Sequence, residues 1–426
     1  MSYVSNSNDS KESGRAAFQS SVKPEHSQRV LDPGRVLDRR SSVQKGRLLK
    51  QVTDAPAAGS PTSRYAFVDG LRGLAALSIA GYHLYRYEPE PQTSRLVMPF
   101  LIEQWALFGW IGLPFMLVIS GFVIPLSFRD GRATCRSVAN FFVRRLVRLS
   151  PPYFVTLLIV VLLHEIHAAF GWFPSPLDEP SSWTRVTSHL IYAQDLLGYP
   201  NLSAGLWTLC IEVQFYALFG VGLLAARWLR PIVTNGQAAA DPRIVVVMFA
   251  PLAGVSVFGW CANPDLDPYV IYFFHHFFLG MVTWWALDGR IPRCWYCVTA
   301  GVWLGRVVCV WKPEIMCALI ASLAIFTAGR NGHLHDWLNF RWLQYLGKIS
   351  YSLYLIHYAV NHVVTTVGWS LLGGSPTPPQ AAACLAVALA SSIAAAHVLY
   401  VSVEVPSTRW SARLKPATTG SETRIE

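Results

Sequence analysis

The chain has 426 residues, of which 52% are hydrophobic and only 14% charged, with 16 Trp, 17 Tyr and 22 Phe. Soluble domains carry roughly 25% charged residues, so this balance excludes an ordinary water-soluble protein and points to a surface that faces lipid. The formal net charge of +10 does not imply nucleic acid, because most Lys and Arg lie before residue 65 or in short segments between apolar runs, as the positive-inside rule describes.

Residues 1–64 are rich in Ser, Lys, Arg, Asp and Gln and contain no sustained apolar run and no signal-peptide core, so a disordered, basic cytoplasmic extension is expected there. Its clusters Arg39-Arg40 and Lys45 to Lys50 are read as a solvated tail. Residues 65–409 form a transmembrane domain in this reading, and 410–426 a short cytoplasmic tail. The predicted spans are 66–86, 104–127, 152–172, 205–227, 244–260, 267–287, 294–311, 314–329, 346–370 and 381–403, each near the ~20 residues that cross a ~30 Å hydrocarbon core. The seventh carries Arg306 and the eighth is short, so those two are alternatively a re-entrant pair. The expected fold is therefore an all-α integral membrane bundle of about ten transmembrane helices.

Charge orients the array. The loop after span two holds Arg129, Arg132, Arg136, Arg144, Arg145 and Arg148, which places it and both termini in the cytoplasm. Segment 173–204, with Asp178 and Glu179, and the turn at 372–380 then face outward. No internal repeat suggests the inverted halves of a transporter.

The eight cysteines are scattered, so no disulfide framework is expected, and the lone C-x-x-C of Cys294 and Cys297 is expected to pack inside a helix. No metal site is expected either. His164-Glu-Ile-His167 is not an H-E-x-x-H motif, and the adjacent His275 and His276 point in different directions on a helix. Neither a nucleophile elbow nor a phosphate-binding glycine loop is present.

Ionisable residues inside apolar spans are costly and so mark candidate chemistry. In span one, Arg72 and His83 lie eleven positions apart, which at ~100° per residue puts both on one helix face with ~16 Å of rise between them. An Asp69–Arg72 pair that anchors the helix end is the bland alternative for Arg72. Glu212 of span four sits at a depth comparable with His83, so a Glu212–His83 contact is expected, with the carboxylate orienting the imidazole as general base. Span nine carries Ser350, Tyr354 and His357 at helical spacing; Ser350 and Tyr354 are read as interhelical hydrogen-bond groups, and His357 is left open. Arg144, Arg145 and Arg148 suit the phosphates of a nucleotide-bearing donor, and topogenic charge alone explains them equally well.

These residues also fall into a pattern. Asp69-Gly70-Leu71-Arg72-Gly73 followed by His83, the segment Gly112 with Val118-Ile119-Ser120-Gly121-Phe122, and Phe141-x-x-Arg144-Arg145-x-x-Arg148-x-x-Pro151-x-Tyr153 come first. Trp207-x-Leu209-x-x-Glu212-x-Gln214-Phe215-Tyr216, Leu346-Gly347-x-x-Ser350-Tyr351-x-x-Tyr354-Leu355-x-His357 and Glu404-x-Pro406 follow in order. The chain from about 66 to 409 thus resembles the bacterial acyltransferase-3 family of polytopic membrane O-acyltransferases. It departs from the family pattern at Pro114, where an acidic residue is usual.

The resemblance implies transfer of an acyl group, commonly acetyl from acetyl-CoA, to a hydroxyl of a surface polysaccharide or lipid-linked glycan in a bacterial inner membrane. It implies acyl-CoA as co-substrate and no permanently bound cofactor. Catalytic roles are expected for His83, Arg72 and Glu212, donor binding for Arg144, Arg145 and Arg148, and supporting roles for Asp69, Ser120, Tyr153, Ser350, Tyr354 and His357. Some members carry an esterase-like domain after the last span, so a separate periplasmic partner is expected to serve that purpose here. The rival reading is a proton-coupled transporter in which His83, Glu212 and His357 relay protons, and it predicts no donor consumption.

Overall fold

The computed structural model describes residues 65–86, 93–128, 133–171, 182–233 and 240–414. The expected extension 1–64, the tail beyond Leu414, Arg129, Arg132, Asp178 and Glu179 lie outside the described residues. What is described is helical, with no strand among those residues. In chain order the helices are α1 (Ala66–Arg86), α2 (Phe100–Leu107), α3 (Gly112–Val123), α4 (Cys135–Phe170), α5 (Trp183–Leu190), α6 (Trp207–Val233) and α7 (Pro242–Phe258). They continue with α8 (Val270–Leu287), α9 (Arg293–Cys309), α10 (Pro313–Arg330), α11 (Arg341–Leu371), α12 (Pro378–Leu399) and, after a π-helical turn at Tyr400–Glu404, α13 (Val405–Arg413).

Seven stretches among the described residues are long and apolar enough to cross a membrane: Gly109–Phe128, Cys135–Phe170, Trp207–Leu229, Pro242–Ala262, Val270–Leu287, Pro313–Arg330 and Pro378–Arg413. Large apolar side chains on their outer faces, such as Leu158, Leu162, Val221, Val247 and Val387, are exposed, as lipid-facing residues should be. The other three expected spans are helices too (α1, α9 and α11), but composition alone does not qualify them. Polar and charged residues such as Asp69, Arg72 and His83 on α1, or Arg341, Gln344 and Lys348 on α11, lower the apolar content, and α9 is only 17 residues long.

α8 is the axis of the bundle. From Phe273 to Ala286 every residue is buried, the behaviour of a helix that is apolar on all sides. α3 crosses it at a point where both helices present glycine: a Cβ on Gly121 would lie 2.1 Å from the Phe277 carbonyl oxygen, and one on Gly280 2.1 Å from that of Val118. α1 and α11, which pack closely on each other, cross by the same device, with a Cβ on Gly73 falling 2.7 Å from the Gly347 nitrogen. Small residues let backbones approach closely, which is how helices gain contact where lipid removes the hydrophobic drive between them.

α4 corrects the sequence reading most. The Arg144 to Arg148 segment was placed in a loop ahead of a span beginning at 152; instead one 36-residue helix, started by a Thr134–Ser137 capping box, runs through Pro151 and Pro152. Proline in a helix deprives the carbonyl four residues back of its donor, here those of Val147 and Arg148. The Ser407 hydroxyl of α13 donates to the Arg148 carbonyl at 3.0 Å, so the break is made good from a distant part of the chain. Cys294 and Cys297 also differ from expectation, because both are exposed on the first turns of α9 rather than packed.

Candidate active site

A cavity of about 120 Å3 opens between α1, α3, α4, α6 and α11. Arg72, Ser120, Arg145, Arg148, Glu212 and Tyr354 are among the residues that line it. Arg145 and Arg148 share a face of α4 at i, i+3, and the Arg145 guanidinium lies over the rings of Phe141 at 5.5 Å and Tyr216 at 5.8 Å. Glu212 accepts hydrogen bonds from Ser120 Oγ at 2.7 Å and from the Tyr216 hydroxyl at 2.8 Å. Three guanidinium groups thus face one carboxylate. Buried Arg148 Nε makes no hydrogen bond among the described residues, so this cationic pocket retains an unmet donor that an anionic ligand would satisfy.

Arg144 does not belong to this set. A rotation of ~100° from Arg145 turns it away from the cavity, where its Nε donates to the Ser411 carbonyl at 3.1 Å and its own carbonyl accepts the Ser411 hydroxyl at 2.8 Å. It clamps α13 to α4. Asp69 and Arg72 form no ion pair with each other among the described residues; the Asp69 backbone instead packs at the Gly347 crossing. Tyr153 is buried against the Tyr192 ring at 5.0 Å and does not line the cavity. Ser350 bonds the Gly347 carbonyl of its own helix, and Tyr354 lines the cavity together with Thr208 of α6.

The expected Glu212–His83 contact is not formed. His83 Nδ1 lies 2.8 Å from His357 Nε2, with the two rings nearly parallel at 11° and 5.1 Å apart. α6 packs against α4, α7 and α8, whereas α1 packs against α11 and α3, so two side chains at similar depth are held apart laterally. Equal depth fixes only one coordinate. Tyr354 links the two groups: it lines the arginine cavity, and its ring lies 6.1 Å from that of His357.

Tyr216, Tyr351 and Thr208 also line the cavity, though the sequence reading gave them no role. Tyr216 follows Glu212 by four residues on one helix, and that spacing was the available signal. Tyr351 donates to the Leu149 carbonyl at 2.6 Å, joining α11 to the arginine face of α4. No group of three or more His, Cys, Asp or Glu stands together as metal ligands among the described residues.

The segment before α6 closes the cavity with Gly205, beside Thr208 and Leu209 of the first turn of α6. Arg185 of α5 staples it by donating to the carbonyls of Pro200 and Asn201, and His189 completes the fold: its Nδ1–H donates to the Arg185 carbonyl at 2.8 Å and its Nε2 accepts the Leu202 N–H at 3.1 Å. Burial pushes this imidazole down to about 4. An unfolded histidine titrates near 6.5, so the His189 contribution is fully present above that pH and is lost as pH falls towards 4, a loss of up to ~3 kcal/mol. Asp195, which burial pushes up, acts in the opposite sense. Unfolding of the purified protein in detergent at pH 7 and pH 5 is therefore expected to show a loss of stability that shrinks in His189→Gln; equal pH dependence in both proteins would refute the assignment.

The chain matches the acyltransferase-3 family, described as an acyltransferase domain, over residues 65–397. It is 25% identical over 354 residues to the "Peptidoglycan O-acetyltransferase OatA" of Listeria monocytogenes, covering 72% of this chain and 51% of that protein. It is 26% identical over 338 residues to the "Putative peptidoglycan O-acetyltransferase YrhL" of Bacillus subtilis, covering 70% and 49%. The "Putative membrane-bound transacylase BcsY" of Komagataeibacter xylinus is 24% identical over 334 residues, covering 70% and 73%. The chain thus spans about half the length of the first two relatives. No solved structure matches it.

Proposed function

The chain belongs to the acyltransferase-3 family, and on that premise we propose that it is a multi-pass membrane O-acyltransferase that moves an acetyl group from acetyl-CoA to a hydroxyl of a surface polysaccharide or lipid-linked glycan. The observation that carries this reading is the cavity of Arg72, Arg145 and Arg148, in which buried Arg148 Nε makes no hydrogen bond among the described residues. Guanidinium forks match the diphosphate of a CoA-type donor in charge and geometry. OatA, named a peptidoglycan O-acetyltransferase, and YrhL, named a putative one, support a glycan acceptor.

In the proposed chemistry His83 takes the proton of the acceptor hydroxyl as its oxygen attacks the thioester carbonyl. The tetrahedral intermediate collapses with cleavage of the C–S bond, and the thiolate of CoA leaves and takes up a proton. Ester and free CoA are the products. Glu212 has a different part from the one expected for it: held by Ser120 and Tyr216, it offsets the arginine charge and keeps the cavity open to one further anion. We also propose that all ten expected helices cross the membrane, that both termini are cytoplasmic, and that the membrane is a bacterial inner membrane with a separate periplasmic partner beyond it. The carrier reading is weakened by family membership and by a cationic cavity better suited to an anionic donor than to proton relay.

The test is release of CoA from acetyl-CoA by the protein in nanodiscs, with peptidoglycan fragments as acceptor. Arg145→Ala and Arg148→Ala are each expected to raise KM for acetyl-CoA ~10- to 100-fold, as loss of a charge-assisted contact should. Arg144→Ala should leave KM within about twofold, because it lies outside the cavity. Absence of glycan-dependent release by the wild type with every acyl-CoA tried would overturn the function.

A further inference from the structure

We infer that His357 is a positioning residue that holds His83 in the one tautomer whose lone pair lies on Nε2, an inference that rests on the acyl-transfer reading above. α1 and α11 run parallel from a common crossing at Gly73 and Gly347, and each histidine lies ten residues beyond its glycine. At 1.5 Å of rise per residue both imidazoles reach the same height, ~15 Å beyond the crossing. Glycine contact and equal spacing together bring His83 Nδ1 and His357 Nε2 to 2.8 Å.

The direction of the hydrogen bonds follows from the partner at the far end. His357 Nδ1 is 3.0 Å from the Leu353 carbonyl oxygen, which only accepts, so the proton of the neutral His357 ring is on Nδ1. Its Nε2 is then an acceptor, and the contact with His83 requires His83 Nδ1–H to donate. Neutral His83 is left with its lone pair on Nε2, the atom that takes the acceptor proton. His357 has little freedom to change role: it is fully buried, and Ser392 of α12, which donates to Asn361 Oδ1 at 2.7 Å, lies 3.5 Å from its backbone carbonyl. Asn361 in turn reaches the Ala80 carbonyl of α1 at 3.4 Å, so three helices hold the pair in register.

An acceptor placed where His357 Nε2 now lies should suffice. Glutamine offers a carbonyl oxygen at about that reach, whereas leucine fills the space with no acceptor. His357→Leu is expected to lower kcat ~10- to 100-fold with KM for acetyl-CoA within about twofold, and His357→Gln to retain most of kcat. The second readout is the 15N spectrum of histidine-labelled protein in lipid, with the His83 signals identified by their loss in His83→Gln. Wild type and His357→Gln should show His83 protonated on Nδ1, and His357→Leu a mixture of tautomers. Equal kcat in wild type and His357→Leu, equal losses in Leu and Gln variants, or a wild-type His83 protonated on Nε2 would overturn the inference, and the last of these needs no His357 variant to fold. A wild type without turnover would instead overturn the acyl-transfer reading, and the spectra would still decide the tautomer.

Discussion

His83→Ala is expected to lower glycan-dependent CoA release by ~10²- to 10⁴-fold, the range over which a positioned general base contributes. The loss should fall on kcat. His83 lies outside the arginine cavity, so the Arg72, Arg145 and Arg148 contacts that hold the donor remain, and KM for acetyl-CoA should change little. His357 does not replace the missing base, because its ring is fully buried and its Nε2 lone pair faces the place of His83 Nδ1 rather than that of His83 Nε2. Steady-state assays of the two proteins in nanodiscs decide the point. Full activity in His83→Ala would move the proton acceptor elsewhere, and Glu212, 2.7 Å from Ser120 in the cavity itself, would be the next group to test.

Gly121→Val is expected to destroy the folded protein, with a loss of ~3 kcal/mol or more. The first added carbon would lie 2.1 Å from the Phe277 carbonyl oxygen and 2.8 Å from the Phe277 backbone carbons, all in the enclosed helix α8. Backbone cannot swing aside as a flexible side chain does, so α3 and α8 must separate. That movement would also displace Ser120, the immediate neighbour of Gly121 and the donor to Glu212, so folding and the cavity fail together. Gly254→Ala on α7 is the matched control, because nothing lies within 4 Å of its added carbon. It should be neutral or stabilising by ~0.5–1 kcal/mol, as alanine is in an open helical position. Size-exclusion profiles and melting curves of both variants test the contrast, and a Gly121→Val protein that melts like the wild type would show that the crossing can relax.

The sequence by itself determined the helical, lipid-facing character of the chain, because a long apolar run in lipid must satisfy its backbone internally and so can only be helix. It also singled out Arg72, His83 and Glu212, since an ionisable group in an apolar span is too costly to keep without a use or a partner, and named Arg144, Arg145 and Arg148 together as a loop cluster suited to phosphate. Helix geometry put Arg72 and His83 on one face and gave His83 and Glu212 a common depth. Which groups meet across helices was decided only by tertiary structure. His83 meets His357 because glycines 73 and 347 set the register of α1 and α11, while Glu212 meets Ser120 of α3 and not His83 because α6 packs on α4, α7 and α8 rather than on α1. The unbroken course of α4 through Pro151 and Pro152 likewise depends on Ser407, 259 residues away from the carbonyl it serves. The physical reason is common to all three: spacing along one helix fixes height and azimuth, whereas lateral neighbours are chosen by close packing between segments far apart in the chain, a choice no local pattern contains.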